Sequence, residues 1–523
     1  MTDTIQTSFF RQKNAFIRHI DDWIEYLCLL IDRIELDHER VKYERQLRWI
    51  LGFREGSNSS IHHNLMISEI YANIYDEASP EEPKNYTPIL DYYKLGDHAF
   101  REIEKAMNCP HLYLLQGPPG TGKTTAIVEL VLQTLRENPN ARILITSETH
   151  VAVDNAIDRL SSVIGDDKLY TILRYKQFSK GTQLENPKVE IAEFENKANQ
   201  VWTDAYLASP ALTEILWKRL ATKDKRTPGW LAKNIADKHQ IIGITCNQIE
   251  HLIDKLSEPF DLAIVDECSK ATLPEWLMPL SVSTKGILVG DHKQLPPTFC
   301  STESEALSNL SKCQEKLIRD GVIDKLFNNA PSFMKGKLLT QYRMQPNIGE
   351  FISQVFYDGQ LNHGRTQVDD PALNFGWLTY STNTLYPDPD IKELVNELEI
   401  SLIDSALKTL TKRGYQLSVA VITPYVAQSR ALRETLKKYE GSSLTIEIDT
   451  VDAFQGKQAD IVFFSFVRNN GSAQFYGDGR RLNVALSRGK NEVYLVGSLD
   501  YIKQQQHYIL RRLSKLPRIK SVD

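Results

Sequence analysis

The chain has 523 residues, 41% of them hydrophobic and 25% charged, with a formal net charge of −5. That is room for two or three domains with cores of their own, and the composition is that of an ordinary globular protein. The acidic balance excludes an overall basic nucleic-acid coat but not a local positive groove, and no apolar run has the length of a membrane span.

The start, MTDTIQTSFFRQKNAF, lacks the apolar core and small-residue cleavage site of a secretory signal. Cys28, Cys109, Cys246, Cys268, Cys300 and Cys313 are scattered with no C-x-x-C pair, so neither a zinc ribbon nor a disulfide frame is suggested. A cytoplasmic location is the corresponding expectation. Phe16, Ile20, Trp23, Ile24, Leu27, Leu30, Ile31 and Ile34 recur at helical spacing, which predicts helices from residue 1 to about 75. The segment Glu77 to Pro88, with three prolines and an acidic cluster, reads as a linker.

From His111 the texture changes to short apolar runs that end in polar or glycine-bearing turns. They are 112–117, 142–148, 241–246, 261–267 and 286–291, with a second set at 419–425, 459–466 and 492–498. Helical patterns separate several of them, which predicts an α/β fold with parallel sheets covered by helices on both faces. The expected division is a helical region 1–93, a first α/β domain 94–336 and a second 337–523. Residues 160 to 240, with Trp202, Tyr206, Trp217 and Trp230, read as a helical insertion in the first domain.

GPPGTGKT, Gly117 to Thr124, follows a predicted strand and opens a predicted helix. This is the G-x-x-x-x-G-K-[ST] loop in the context it requires. Its glycines let backbone N–H groups wrap phosphate oxygens, and the helix start adds partial positive charge. Lys123 would reach the β- and γ-phosphates of ATP and Thr124 would hold Mg²⁺. DLAIVDE places Asp266 and Glu267 at the end of a buried strand, Asp266 for Mg²⁺ and Glu267 for the attacking water.

Seven motifs in order resemble the Upf-like group of superfamily 1B helicases, the group that includes senataxin, over residues 95 to 500. They are SETHVAVDNAIDRL (147–160), DECSKA (266–271), GDHKQLPP (290–297), QYRMQPNIGEFIS (341–353), ITPYVAQ (422–428), TVDAFQGKQADIVFFSFVR (450–468) and RRLNVALSRGK (480–490). The resemblance implies two tandem RecA-like P-loop motor domains and an ATPase that moves on single-stranded DNA or RNA, 5′ to 3′, and unwinds duplexes. It implies that Arg343 and Arg488 are arginine fingers from the second domain and that Gln294 senses the γ-phosphate and the attacking water. ATP would then be held by both domains, and their closure would be the motor stroke.

The same resemblance extends the nucleotide contacts to Gly117, Gly120, Thr121, Gly122, Thr125 and Gly456. Tyr342 either stacks on the adenine or packs in the core. Thr149, Thr245, Thr450 and Pro424 fall where the family touches a single strand, although strand-end chemistry accounts equally for the threonines. The chain departs from the family in four respects. His98 and Ala99 stand near the place of the adenine-reading glutamine, and Gln458 replaces a glutamate. No counterpart of the small β-barrel is expected, nor a zinc-binding regulatory or nuclease domain beside the motor. A competing reading is an ATP-dependent clamp that does not unwind, a monomer or one subunit of a complex, docking a partner such as a nuclease through the N-terminal helices. The basic tail from Tyr501 reads either as a segment that trails along phosphate or, the preferred reading, as a solvated helix face with a frayed end.

Overall fold

The computed structural model describes residues 2–35, 37–55, 83–90, 92–164, 171–178, 181–185, 239–249, 258–366, 374–381, 383–386, 394–454 and 456–519. The chain divides into two compact units. The first holds Met1–Gln116, Lys123–His292 and Pro296–Lys337; the second holds Gly117–Gly122, Lys293–Leu295 and Leu338–Asp523.

The first unit opens with helices α1 (Thr2–Ile31), α2 (Asp37–Glu55) and α3 (Tyr92–Asn108). In α1, Ile20, Trp23, Tyr26, Leu27, Leu30 and Ile31 are buried at the predicted helical spacing. Then come β1 (Leu112–Gln116), α4 (Lys123–Glu137), β2 (Ile143–Ser147), α5 (His150–Ile164), β3 (Ile172–Phe178), β4 (Gly181–Glu185), β5 (Ile241–Thr245), β6 (Leu262–Asp266), α6 (Leu273–Ser281) and β7 (Gly286–Gly290). The unit closes with α7 (Ser301–Leu307), α8 (Lys312–Asp320), α9 (Ile323–Asn329) and β8 (Lys335–Lys337).

Its eight strands form one sheet in the order β4-β3-β5-β2-β6-β7-β1-β8, with every pairing parallel except β3 with β4. Strands β1, β2, β5, β6 and β7 are buried at every residue. Parallel strands covered on both faces read as continuous apolar runs, which is why these five are visible in the sequence.

The N-terminal helices pack on this unit and do not stand apart from it. Gln314 on α8 donates to Asp22 and Glu25 of α1, at 2.9 Å each. Tyr43 of α2 donates its hydroxyl to Glu303 at 2.6 Å, and Gln46 donates to Asn247 at 3.0 Å. Of the expected proline-rich linker, residues 77–82 lie outside the described ones. The segment after it is tied to α4, where Glu129 accepts the Ile89 and Leu90 amides at 2.8 Å each.

The expected helical insertion is corrected at its start. Helix α5 ends at Ile164, and β3 and β4 come next as strands that widen the sheet. β3 pairs Ile172–Arg174 with Ile241–Gly243 of β5, so Ile172, Leu173 and Tyr175 are buried and the edge amides of β5 are paired. Residues 186–238, which include Trp202, Tyr206, Trp217 and Trp230, lie outside the described ones.

The second unit contains β9 (Thr340–Gln341), α10 (Pro346–Phe356), β10 (Asn362–His363), β11 (Phe375–Thr379), α11 (Glu397–Arg413), β12 (Leu417–Thr423), α12 (Val426–Leu436), β13 (Leu444–Thr450) and β14 (Ala459–Ser465). After these come α13 (Gln474–Gly477), α14 (Gly479–Leu486), β15 (Gly489–Gly497), α15 (Leu499–Gln504) and α16 (Tyr508–Leu513). Its main sheet is parallel, in the order β11-β15-β14-β12-β13. Alternate residues enter two cores. Ala420, Ile422, Val462, Phe464, Val493 and Leu495 face one; Val419, Val421, Ile461, Phe463, Tyr494 and Val496 face the other.

The C-terminal tail is also corrected. Beyond α16 it does not fray at once: the Trp377 amide donates to Pro517 and the Ile519 amide donates to Trp377, at 2.8 Å each. The tail thereby pairs with the open edge of β11, and the Trp377 indole donates to Leu513.

One buried polar network fixes the exit from β14. Both carboxylate oxygens of Glu399 accept the Val467 amide at 2.9 Å, and one accepts the Ser465 hydroxyl at 2.6 Å. Asn396, at the start of α11, donates to the Val467 carbonyl at 2.7 Å. Val467 is held at a left-handed φ of 71° although it is β-branched and fully buried. Burial pushes the Glu399 carboxyl up to about 8, against the hydrogen bonds from Ser465 and Val467 that favour its charged form.

A carboxyl whose folded-state pKa lies above its unfolded value makes the folded state bind more protons between the two. Stability should therefore fall as pH rises from the ordinary carboxylate range toward 8. Glu399→Gln removes that titration and one acceptor, and should cost about 1–3 kcal/mol. Denaturation at pH 5 and pH 8 checks this: the deficit of the variant should be larger at pH 5.

Candidate active site

The loop between β1 and α4 is shaped by two left-handed glycines, Gly120 at φ 74° and Gly122 at φ 83°. The amide and hydroxyl of Thr121 both donate to the Pro118 carbonyl, at 3.3 and 2.7 Å. Helix α4 begins at Lys123 with no acidic residue in its first turn, so its positive end is unopposed from within the helix. Thr124 and Thr125, half-buried, belong to that turn.

Strand β6 delivers the carboxylates. The Lys123 ammonium lies 3.9 Å from Glu267, in a partly buried pair. Glu267 sits at a left-handed φ of 52°, and its Oε2 is buried without a hydrogen-bond partner. The Glu267 amide donates to Asp266 Oδ1 at 2.8 Å. Burial, and then the charge of Glu267 beside it, push the Asp266 carboxyl up to about 7, with Lys123 pulling the other way. Two carboxylates on one buried turn share one lysine. With the Thr124 hydroxyl in the first turn of α4, this oxygen donor set suits Mg²⁺, which takes one or two carboxylates together with substrate phosphates.

Neighbouring strand ends lock this turn. The Cys268 amide donates to Val289 at 3.0 Å, and a Cβ on Gly290 would lie 2.7 Å from the Cys268 sulfur. Gln116, at the end of β1, donates to buried Asp291 at 3.1 Å.

In the second unit, Arg488 is buried and its guanidinium is spread over three acceptors. They are Val484 O at 3.0 Å, Lys457 O at 3.3 Å and Gln294 Oε1 at 3.1 Å. Gly456, at φ 86°, precedes Lys457. Arg343 donates to the Ser487 carbonyl at 3.2 Å, and the Tyr342 amide donates to the Gly120 carbonyl at 2.9 Å. A Cβ on Gly120 would stand 2.5 Å from that of Arg343. Tyr342 is 39% exposed, so the core-packing alternative does not hold; its ring lies over Gly364, where a Cβ would come within 2.3 Å.

Two residues that the sequence does not single out hold these arginines. Gln341 Oε1 accepts the Arg343 and Met344 amides at 3.0 and 2.7 Å. Arg365 donates to the carbonyls of Arg343 and Lys490, at 2.6 and 2.9 Å, and to Asn491 at 3.0 Å. Gln341 opens the QYRM motif, and that position is the signal that could have found it. Arg365 comes after a glycine in an irregular segment and carries no sequence signal.

The four candidate strand contacts sit at carboxyl ends of sheet strands or just beyond them, the edge where α/β sheets carry their ligands. In the first unit, Thr245 ends β5 in register with Ser147 of β2, whose buried hydroxyl has no partner. Thr149 accepts the Ala152 amide at 3.3 Å, in the entry turn of α5. In the second unit, Thr450 ends β13 in register with Thr423 of β12, and Pro424 comes next.

Two family models, each described as an AAA domain, match the chain, one over 94–200 and 177–302 and the other over 321–500. An uncharacterized ATP-dependent helicase of Methanocaldococcus jannaschii is 27% identical over 82% of this chain and 72% of its own length. DNA polymerase alpha-associated DNA helicase A of Saccharomyces cerevisiae is 28% identical over 80% of this chain and 67% of its own. DNA-binding protein SMUBP-2 of Mus musculus is 26% identical over 83% of this chain but 46% of its own, so the chain spans about half of that relative.

The chain belongs to the Upf-like group of superfamily 1B helicases. This helicase carries the group's two RecA-like sheets in tandem.

Among the described residues, Arg365 acts on this helicase through backbone carbonyls and one side-chain amide. Arg365→Ala should loosen the segments bearing Arg343 and Arg488 and lower ATP turnover roughly 10- to 100-fold. Steady-state kinetics with a melting curve as control measure it. Unchanged turnover would show that those segments keep their geometry without Arg365.

Proposed function

We propose that this protein hydrolyses ATP to move 5′ to 3′ along single-stranded DNA or RNA and to separate duplexes ahead of it. The observation that carries the reading is the Lys123–Glu267–Asp266 cluster at the mouth of β6. A glutamate forced into a left-handed backbone presents one unpartnered carboxylate oxygen beside the lysine that succeeds the glycine loop. Such an oxygen is what a base for the attacking water requires. The names of the relatives support the reading, since two are ATP-dependent or DNA helicases and the third is a DNA-binding protein.

In this reading Lys123 and the amides of Gly120 to Lys123 bind the β- and γ-phosphates, and Glu267 takes the proton of the attacking water. Thr124 and Asp266 would hold Mg²⁺, which would neutralise charge on the phosphate oxygens. Arg343 and Arg488 place positive charge where the γ-phosphoryl group develops its negative charge, and Gln294, bonded to Arg488, orients the water. Tyr342, with an exposed face, stacks on the base. Thr149 and Thr245 from the first unit, with Thr450 from the second, hold the strand backbone without reading its sequence, and Pro424 touches a base.

Lys123→Ala should abolish hydrolysis, read as phosphate release in the presence of single strands; normal turnover in that variant would remove the site. Glu267→Gln should keep ATP affinity within about threefold while turnover falls by roughly 10²-fold or more, as loss of a general base does. Equilibrium binding of a fluorescent ATP analogue separates the two effects. For the wild type, stimulation of hydrolysis by single strands together with displacement of the strand from a tailed duplex is the expected pair of results. Stimulation without displacement would reduce the activity to that of a clamp.

A further inference from the structure

Arg468 stands three residues beyond the last residue of β14, at the same sheet edge as Thr423 and Thr450. That edge is continuous, because β14, β12 and β13 are neighbours and Ile422 pairs with Phe464. The Arg468 Nε donates to the Tyr425 hydroxyl at 2.8 Å, and the guanidinium lies 5.6 Å from the centre of the Tyr425 ring. Its Nη1 and Nη2 donate to no described residue, and no described carboxylate forms an ion pair with it. A half-buried guanidinium that keeps one nitrogen anchored and two available is a fork aimed at an anion.

A further observation points the same way. The backbone that launches Arg468 is strained at Val467 and is held in that state by Glu399 and Asn396. Strain of about 1–3 kcal/mol is kept where a fold must deliver a side chain to one place. Arg468 itself is only half-buried and touches Tyr425 and the Gly471 turn.

We propose that Arg468, steadied by Tyr425, binds a backbone phosphate of the single strand and so completes the grip of the second unit. This rests on the nucleic-acid reading above. A planar fork takes two phosphate oxygens. The contact is with the backbone, so it serves DNA and RNA alike and carries no base preference.

The test uses the full chain and fluorescein-labelled oligo-dT and oligo-U, with anisotropy titrations across a range of potassium chloride concentrations. Arg468→Ala should weaken binding of both oligonucleotides roughly tenfold and reduce the log–log salt slope by about one. Arg468→Lys should restore the slope but only part of the affinity, since an ammonium keeps the charge and loses the fork. Circular dichroism melting of each variant separates these effects from unfolding. Equal affinity and an unchanged slope in Arg468→Ala would overturn this inference alone. Failure of the wild type to bind either oligonucleotide would overturn it together with the reading beneath it. A loss confined to one oligonucleotide would also overturn it, because a phosphate contact does not tell the two apart.

Discussion

Everything chemical in the first unit depends on placing two carboxylates at one buried turn with a single lysine for company. Taken alone the arrangement is unfavourable: burial and mutual repulsion push the Asp266 carboxyl up to about 7. The fold meets that cost with rigid surroundings. β6 lies between β2 and β7, every residue of the three strands is buried, and Cys268 is clamped against Val289 and Gly290. A turn so confined cannot relieve repulsion by moving apart, so added positive charge is its remaining relief. A divalent cation arriving with the nucleotide would supply that charge at the Asp266 carboxylate.

The second unit solves a different problem. In the proposed mechanism its arginines serve the γ-phosphoryl group, and they must be oriented for it. Carbonyls and a side-chain amide are among their partners. Arg488 meets Val484 O, Lys457 O and the Gln294 side chain, and Arg343 meets Ser487 O. Neutral acceptors orient a guanidinium while leaving its net charge in place. Arg365 applies the same logic from behind, gathering the carbonyls of Arg343 and Lys490 on one nitrogen.

How much of this is legible in the sequence depends on how each strand is buried. Strands covered on both faces, such as β6 and β14, announce themselves as unbroken apolar runs and carry the acidic box and the FFSF run with them. The strands that the sequence conceals are edges or near-edges. β13 has one buried residue followed by exposed and half-buried ones, β8 has three residues, and β3 reads as helix because its residues are mixed in polarity. An edge strand needs only one covered side, so its pattern is dilute. Site residues are legible where a motif spacing constrains them, as with Lys123, Asp266 and Glu267. Supporting residues are not. Arg365 and Glu399 act through contacts that span long sequence separations, and no local rule relates Glu399 to Val467, 68 residues away.

The two non-glycine residues at strand exits with left-handed backbones explain why such support is needed. Glu267 directly succeeds β6, and Val467 lies just past β14. Glycine would adopt either conformation at no steric cost, but neither position can use it. At 267 the carboxylate is the base of the proposed mechanism, and at 467 the side chain is fully buried in the core. Each site therefore carries strain of about 1–3 kcal/mol, and each shows a local compensation. For Glu267 it is the hydrogen bond from its amide to Asp266, and for Val467 the amide and carbonyl bonds to Glu399 and Asn396. The strain and its compensation stand or fall together. A substitution in the supporting network would let the strand exit relax toward ordinary geometry and carry the functional side chain away, with the sheet itself intact. Buried polar residues far from the chemistry are for that reason part of the working site in this helicase.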